Sequence, residues 1–350
     1  YYTHHDSNIL GIWYFLKKCY ENGWIYQSQL AMPWCPRCGT SLSEHEMAGS
    51  YKKIKHLSVF IKLFLKERNA HILVWTTTPW TLAANVALAV NPNLEYCEVK
   101  VEGEEIPVIL CSDTLHILKK KRYKVINRFP GKELVGLRYE PILSGLEVQK
   151  QVVHRIIAWD AVDPSEGSGI VHIAPGCGRE DYELGVELNL AVLSPVDDEG
   201  TYVSGYGWLE GKEASSSAEE IVAHLKQNNK LFYHYMHEHS YPICWRCKSE
   251  LIFRLVSEWF ISCKDIRPAM IKANAKIRWQ PEFIGKRMED WLKNMGDWCI
   301  SRKRFWGLPL PFYKCPFCGK LTVVGSLNEL RELSEDDIDS LPELHRPWID

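Results

Sequence analysis

Two Cys-x-x-Cys motifs that lie far apart in the sequence place the strongest constraint on how this chain folds. The first contains Cys35 and Cys38, and the second contains Cys244 and Cys247. Two thiolates at this spacing converge on one ion and supply half of a tetrahedral zinc site. The two motifs therefore predict one structural zinc site that joins both ends of the intervening segment. A pair of unmetallated buried thiols and a redox motif are the alternatives, although no thioredoxin-like setting surrounds either motif.

A third motif, with Cys315 and Cys318, is another half-site, predicted to bind metal, and no partner pair follows it. The 350-residue chain starts with Tyr-Tyr-Thr and ends with Trp-Ile-Asp, and we expect it to be a fragment of a larger protein with two or three domains. Its 42 basic and 44 acidic residues nearly cancel, so no global charge demands a nucleic-acid partner. The sequence shows neither a signal peptide nor a long apolar run, and we expect a cytoplasmic protein without a membrane partner.

Short strands dominate the segment between the first two cysteine motifs. Within residues 8–26, apolar residues at helical spacing predict a helix that ends near Asn22 and Gly23. A second helix is predicted over 217–228, with Ser217 as its N-cap. Strands are predicted at 57–64, 70–77, 84–90, 95–101, 106–111, 125–128, 134–139 and 152–158. This pattern predicts a compact, mostly-β domain with a closed or barrel-like sheet.

A threonine-rich stretch follows the apolar run at 72–74 and reads Trp-Thr-Thr-Thr-Pro-Trp-Thr over 75–81. Pro79 stops the strand, which leaves the hydroxyls of Thr76, Thr77 and Thr78 at its end. Because hydroxyls both donate and accept hydrogen bonds, such a cluster can hold a water molecule and a sugar hydroxyl together. The alternative is an ordinary threonine-rich strand end.

A glycine-rich stretch at 167–182 is the second candidate for a functional segment. It predicts a strand over 170–173, a Pro-Gly-x-Gly turn, and a helix from 179 to 190. His172 and Asp181 stand at opposite ends of this turn, where a carboxylate can hold an ammonium group and an imidazole can form a pocket wall. Taken singly, Asp181 is explained as a helix cap and His172 as an interior histidine.

Two basic segments are candidate contacts for polyanions. The run at 119–122 is Lys-Lys-Lys-Arg, which is either a solvated face or a phosphate contact. The stretch at 297–307 mixes arginines with tryptophan and phenylalanine, a combination that suits nucleotides but also occurs in ordinary cores.

The threonine stretch with the Asn-Val-Ala-Leu-Ala-Val run at 85–90, the glycine-rich turn, and the Asp-Trp-Cys-Ile-Ser-Arg-x-Arg-Phe-Trp-Gly stretch at 297–307 together resemble class I isoleucyl-tRNA synthetases. Valyl and leucyl relatives carry arginine where Thr78 stands. The resemblance implies an α/β protein in which a barrel-like editing domain, 50–235, is inserted into a Rossmann-type catalytic domain. Residues 1–49 and 236–350 would belong to the junction and the catalytic domain, with the zinc knuckles at the junction.

The resemblance also implies a site and its partners. Thr76, Thr77 and Thr78 would position a hydrolytic water at the 3′ end of tRNA(Ile), and Asp181 would bind the α-ammonium of valine attached in error. His172 would exclude isoleucine, and Trp75 would pack beside them. Relatives often carry histidine or phenylalanine near Cys177, for which we assign no role. Zinc would be structural, and ATP with magnesium would serve the full-length enzyme, expected to be a monomer.

The sequence lacks the His-Ile-Gly-His and Lys-Met-Ser-Lys-Ser signatures that handle ATP phosphates, so we do not expect this segment to ligate isoleucine to tRNA. Two alternatives to an editing hydrolase remain. A zinc-stabilised fragment could bind tRNA without turnover. A zinc-ribbon nucleic-acid adaptor would fit the cysteine pairs and the basic run, but it leaves the threonine stretch unexplained.

Overall fold

A computed structural model of the protein describes residues 2–303 and 307–349. The chain divides into two compact units: a central unit, residues 30–256, and a terminal unit, residues 1–29 with 257–350. The α-helices are α1 Asp6–Glu21, α2 Glu44–Met47, α3 Arg179–Glu187, α4 Ala218–Gln227, α5 Arg267–Asn274, α6 Phe283–Asn294 and α7 Leu327–Leu333. The strands are β1 Ile25–Cys35, β2 Thr40–Ser41, β3 Tyr51–Leu65, β4 Ala70–Thr76, β5 Ala87–Val90, β6 Glu95–Val101, β7 Val108–Cys111, β8 Tyr123–Pro130, β9 Arg155–Ala158, β10 Val171–Ile173, β11 Leu231–Pro242, β12 Ile252–Ile261, β13 Trp298–Cys299, β14 Phe312–Lys314 and β15 Leu321–Val323.

A nine-stranded mixed sheet forms the central unit, with β4 at its branch point. Strand β3 pairs antiparallel along one edge of β4. The other edge is shared, because β7 pairs with the start of β4 and β10 pairs in parallel at Trp75. The sheet curls into half of a barrel. The predicted α/β fold with a mostly-β, barrel-like part is confirmed.

Apolar residues fill both sides of this sheet. One core cluster packs Phe60 and Leu73 against the inward side chains of β6 and β7. A second cluster packs β5 and β10 against Leu184 of α3. Because Leu73 anchors β4 in the first cluster and Ile173 anchors β10 in the second, the loops that leave the C-terminal ends of these strands start from fixed positions.

The helix predicted to end near Asn22 and Gly23 is α1, which ends at Glu21 and is followed by Gly23 with φ +73°. Other predicted elements differ from the structure at their bounds. Residues 79–84 form a 3₁₀ turn started by Pro79, so the strand predicted at 84–90 begins only at Ala87. The strand predicted at 134–139 is wrong, since Gly136 has φ +88° and interrupts an extended backbone. Ser217 is at the N-cap of α4 as predicted, but its hydroxyl donates to the carbonyl of Ala214 instead of capping the helix.

The terminal unit is built around α1. Ile9 and Trp13 of α1 pack against Val324, Leu330 and Leu344. The indole N–H of Trp13 donates to the carbonyl of Pro309 at 2.9 Å. Asp297, at the start of the predicted basic and aromatic stretch, accepts hydrogen bonds from the amide of Cys263 and the hydroxyl of Tyr26. Residues 304–306 of that stretch lie outside the described residues.

No helix in the described ranges is both long and apolar enough to cross a membrane. The basic run at 119–122 follows a 3₁₀ turn and is exposed. The ammonium of Lys121 lies 4.4 Å from the ring centre of Phe232. The same ammonium is 3.7 Å from the carboxylate of Glu104. Part of this charge is therefore already balanced within the fold.

Burial of His154 makes the stability of the central unit sensitive to acid. Its side chain is 5% exposed, and neither ring nitrogen has a hydrogen-bond partner among the residues that the structure describes. Burial and the charge of Lys230 lower the pKa of His154 to about 4. Below pH ~6.5 the unfolded chain takes up a proton that the folded chain does not, so the free energy of unfolding should fall by about 3 kcal/mol as the pH drops to 4. Urea titrations of the protein and of His154→Leu across this range measure the effect.

The substitution should make the free energy of unfolding less dependent on pH between 6.5 and 4. His234, an exposed residue on β11, provides the matched control, because His234→Leu should leave the dependence unchanged. Equal slopes for the protein and His154→Leu would contradict the assignment.

Candidate functional site

The threonine stretch forms one side of a cavity of about 280 Å³ at the C-terminal ends of β4 and β10. Strand β10 pairs with β4 through Val171 and Trp75, and this register brings the turn after β10 against the threonines. The residues predicted for the site that line this cavity are Trp75, Thr76, Thr77, Thr78, His172 and Asp181. The structure thus brings together two stretches that are separated along the sequence by strands β5 to β9.

A chain of hydroxyl groups runs along the wall of the cavity. The Oγ1 atoms of Thr76 and Thr78 are 3.3 Å apart, and those of Thr78 and Thr81 are also 3.3 Å apart. The amide of Thr78 donates to Thr76 Oγ1 at 3.1 Å, which holds the turn closed. Thr77 makes none of these contacts and lines both this cavity and a neighbouring one of about 600 Å³.

His172 stands at the far end of the hydroxyl chain. Its Nε2 atom is 3.0 Å from Thr81 Oγ1, and its side chain is 8% exposed. Nδ1 is buried and has no hydrogen-bond partner among the described residues. Burial lowers its pKa to about 4, so the imidazole is neutral at pH 7 and forms an uncharged wall.

Asp181 lies in the first turn of α3 and supplies the negative charge of the cavity. Its Oδ2 atom accepts a hydrogen bond of 2.7 Å from the amide of Ala174. Burial raises its pKa to about 6, while the bond from Ala174 acts in the opposite direction. The carboxylate is therefore mostly ionised at pH 7, and within the described ranges no basic side chain forms an ion pair with it.

Glycines allow this close arrangement at two positions. A Cβ atom at Gly178 would lie 3.2 Å from the carboxyl carbon of Asp181. A Cβ atom at Gly167, where φ is +56°, would lie 2.6 Å from the ring of Trp75. Larger residues at these positions would displace the carboxylate or the indole that line the cavity.

Sequence reasoning assigned no role to Thr81 and none to Cys177. Both line the cavity, and Thr81 connects the hydroxyl chain to His172. The signal for Thr81 was present, because it follows Thr78 by three residues across a turn that Pro79 starts. Burial and the charge of Asp181 raise the pKa of the Cys177 thiol, so this residue is an uncharged part of the wall.

Four cysteines of the central unit form a cluster that fits a metal ion. The sulfurs of Cys35, Cys38, Cys244 and Cys247 all lie within 4.8 Å of one another, and those of Cys35 and Cys247 are 3.4 Å apart. Tetrahedral zinc with bonds of ~2.3 Å separates its sulfurs by about 3.8 Å, so little movement is needed. The residue after each second cysteine has a left-handed backbone, with φ +59° at Gly39 and +64° at Lys248.

The remaining predicted half-site has a different setting. Cys315 and Cys318 lie in the turn between β14 and β15, which the amide of Cys315 closes by donating to the carbonyl of Lys320 at 2.9 Å. Cys318 is exposed. Among the described residues no third histidine, cysteine or carboxylate joins them as a possible ligand. Metal binding at this pair stays a prediction.

Residues 1–347 match the model of the class I tRNA synthetases for isoleucine, leucine, methionine and valine. The chain belongs to this family. Among its relatives, the isoleucine–tRNA ligase of Methanocaldococcus jannaschii is 40% identical over 97% of this chain and 34% of that protein. Those of Methanopyrus kandleri and Clostridium novyi are 38% and 39% identical over 100% of this chain and 34% and 33% of those proteins. The chain thus spans about a third of the length of these relatives.

Solved structures similar to this family member include editing domains of cytosolic leucyl-tRNA synthetases. That of P. knowlesi is 13% identical, with a TM-score of 0.40 over 57% of this chain and 100% of that one. That of P. falciparum is 12% identical, with a TM-score of 0.41 over 52% of this chain and 100% of that one.

Proposed function

We propose that this family member hydrolyses valine that has been attached in error to tRNA(Ile), and that residues 50–235 are its editing domain. The observation that carries the proposal is the partly buried carboxylate of Asp181, which forms no ion pair with a basic side chain among the described residues and lines a small cavity with three threonines. The α-ammonium group of an aminoacyl-tRNA would form an ion pair with this carboxylate. That ion pair would place the ester beside the threonine hydroxyls.

The size of the cavity provides the selection. One methylene distinguishes isoleucine from valine and is worth only ~1–3 kcal/mol in a binding pocket, a range already established for this pair of amino acids. A second site that excludes the larger side chain of isoleucine would hydrolyse Val-tRNA(Ile) and leave Ile-tRNA(Ile) intact. The neutral imidazole of His172 would form the excluding wall, with Trp75 packed beside the site.

Hydrolysis of the activated ester needs chiefly a positioned water. The water oxygen bonds to the ester carbonyl carbon, the bond from that carbon to the ribose oxygen breaks, and a proton from the water ends on the ribose oxygen. Threonine is a poor base, so Thr76, Thr77 and Thr78 would orient the water while the neighbouring ribose hydroxyl assists.

The four-cysteine cluster of the central unit would bind structural zinc. Zinc held there would join the two chain segments that enter and leave the proposed editing domain. In the longer, monomeric parent enzyme, we propose that isoleucine is ligated to tRNA(Ile) with ATP and magnesium in parts of the chain beyond this segment.

The direct test follows ester loss when the protein is incubated with Val-tRNA(Ile) and with Ile-tRNA(Ile). We expect valine to be released while the isoleucine ester decays at its spontaneous rate. Equal rates for both esters would refute the selection by size. Binding of tRNA without release of either amino acid would support the alternative, a zinc-stabilised tRNA-binding segment that needs the rest of the enzyme for turnover.

A further inference from the structure

The hydroxyl of Thr81 is the point at which the threonine chain meets His172. Thr81 Oγ1 lies 2.8 Å from the carbonyl oxygen of Thr78, which can only accept a hydrogen bond. The single hydroxyl proton of Thr81 is therefore used in this bond. The contact of 3.0 Å between Thr81 Oγ1 and His172 Nε2 must then receive its proton from the imidazole, so Nε2 carries the hydrogen.

The same count of protons orients the other hydroxyls. Thr81 Oγ1 has no proton left for Thr78, so Thr78 donates across their contact of 3.3 Å. The proton of Thr78 is then used, and Thr76 is the donor to Thr78 across the next contact of 3.3 Å. The hydroxyl protons of Thr76 and Thr78 point along the wall towards Thr81, the proton of Thr81 points to the carbonyl of Thr78, and lone pairs remain for the cavity.

The opposite tautomer of His172 is disfavoured at Nε2. With the proton on Nδ1, Nε2 would face Thr81 Oγ1 with no proton between two lone pairs. Nδ1 has no partner among the described residues, so it is unsatisfied in either tautomer and does not decide between them. The hydrogen bond to Thr81 Oγ1 therefore decides, and it favours the Nε2–H tautomer by about 5- to 150-fold.

We propose that Thr81 is a positioning residue, which fixes His172 as its Nε2–H tautomer and commits the protons of Thr76 and Thr78 to the wall. The role of Thr81 in deacylation rests on the proposed editing function, whereas the tautomer of His172 does not depend on that function. A water in the cavity donates a hydrogen bond to a threonine oxygen and keeps its own lone pair free for the ester carbon. Without Thr81, the hydroxyl of Thr78 rotates and competes for that lone pair.

The test compares Thr81→Val with Thr81→Ser. Valine removes the hydroxyl at nearly the same volume, and serine retains it. Thr114 provides a matched control, because it is fully buried in another 3₁₀ turn and its hydroxyl also donates to the carbonyl three residues earlier, that of Cys111, at 2.8 Å. Thr114→Val therefore removes the same kind of bond away from the cavity.

The first readout is the proton position on His172, measured by ¹⁵N NMR of histidine-labelled protein at pH 7, with His172→Gln used to assign the signal. We expect the protein, Thr81→Ser and Thr114→Val to show the proton on Nε2, and Thr81→Val to show a mixture. A proton on Nδ1 in the unsubstituted protein would overturn the proposal, even if Thr81→Val did not fold.

The second readout is deacylation of Val-tRNA(Ile). We expect Thr81→Val to lower kcat about 10- to 100-fold with little change in KM, and Thr81→Ser to restore most of it. Equal losses in Thr81→Ser, or in Thr114→Val, would show a merely structural effect and refute the positioning role. If the unsubstituted protein released no valine, the proposed function would fail, while the NMR result would still decide the tautomer.

Discussion

Replacing Asp181 with asparagine should lower kcat/KM for deacylation of Val-tRNA(Ile) by about 100-fold or more. Asparagine keeps an oxygen that can accept from the amide of Ala174, so the turn should persist while the charge is lost. Removing one partner of a buried charge pair costs ~2–5 kcal/mol, and the ammonium of the substrate would lose its counter-charge. Steady-state deacylation with purified Val-tRNA(Ile) measures the change.

Glu180 is the matched control for this charge, since it is the preceding residue, has the same sign of charge and is exposed. Glu180→Gln should deacylate at the rate of the unsubstituted protein. The pKa of Asp181 is raised to about 6, so deacylation should increase from pH 5 to 7 as the carboxyl ionises. Asp181→Asn should lack this increase. An Asp181→Asn variant with full activity would remove Asp181 from the site.

Replacing Cys244 with serine should abolish tight zinc binding and strongly destabilise the central unit. The cluster joins segments that are far apart in the chain, and metal bound only by the folded state contributes its binding free energy to folding. We expect a loss of several kcal/mol and a markedly lower melting temperature. Metal content by atomic emission and thermal unfolding by circular dichroism measure both effects.

Cys315→Ser is the control for a thiol outside the cluster. It should leave the melting temperature of the central unit unchanged, because Cys315 lies in the terminal unit. Treating the unsubstituted protein with a strong chelator should reproduce the effect of Cys244→Ser. Retention of tightly bound zinc by Cys244→Ser, at an unchanged melting temperature, would contradict the four-cysteine site.

Local sequence signals predicted most elements near the site and missed others for identifiable reasons. The apolar run before Trp75 predicted β4, and the glycine-rich turn predicted both β10 and the start of α3. The strand expected at 134–139 failed because the apolar pattern does not reveal the left-handed backbone of Gly136. Residues 84–86 were predicted as the start of a strand that begins only at Ala87, because a buried apolar turn end cannot be distinguished from a strand by periodicity alone.

The sequence by itself determined the family, the chemical groups available to the site and the cysteines that could share a metal. These depend on residue type and spacing, which are local. The tertiary structure alone decided that β10 joins β4 at Trp75 and not elsewhere along its edge, since strand register depends on how the whole sheet packs. That register brings His172 within 3.0 Å of Thr81 and thereby orders the hydroxyl chain. Hydrogen-bond direction depends on which atoms meet in space, and no spacing in the sequence specifies it.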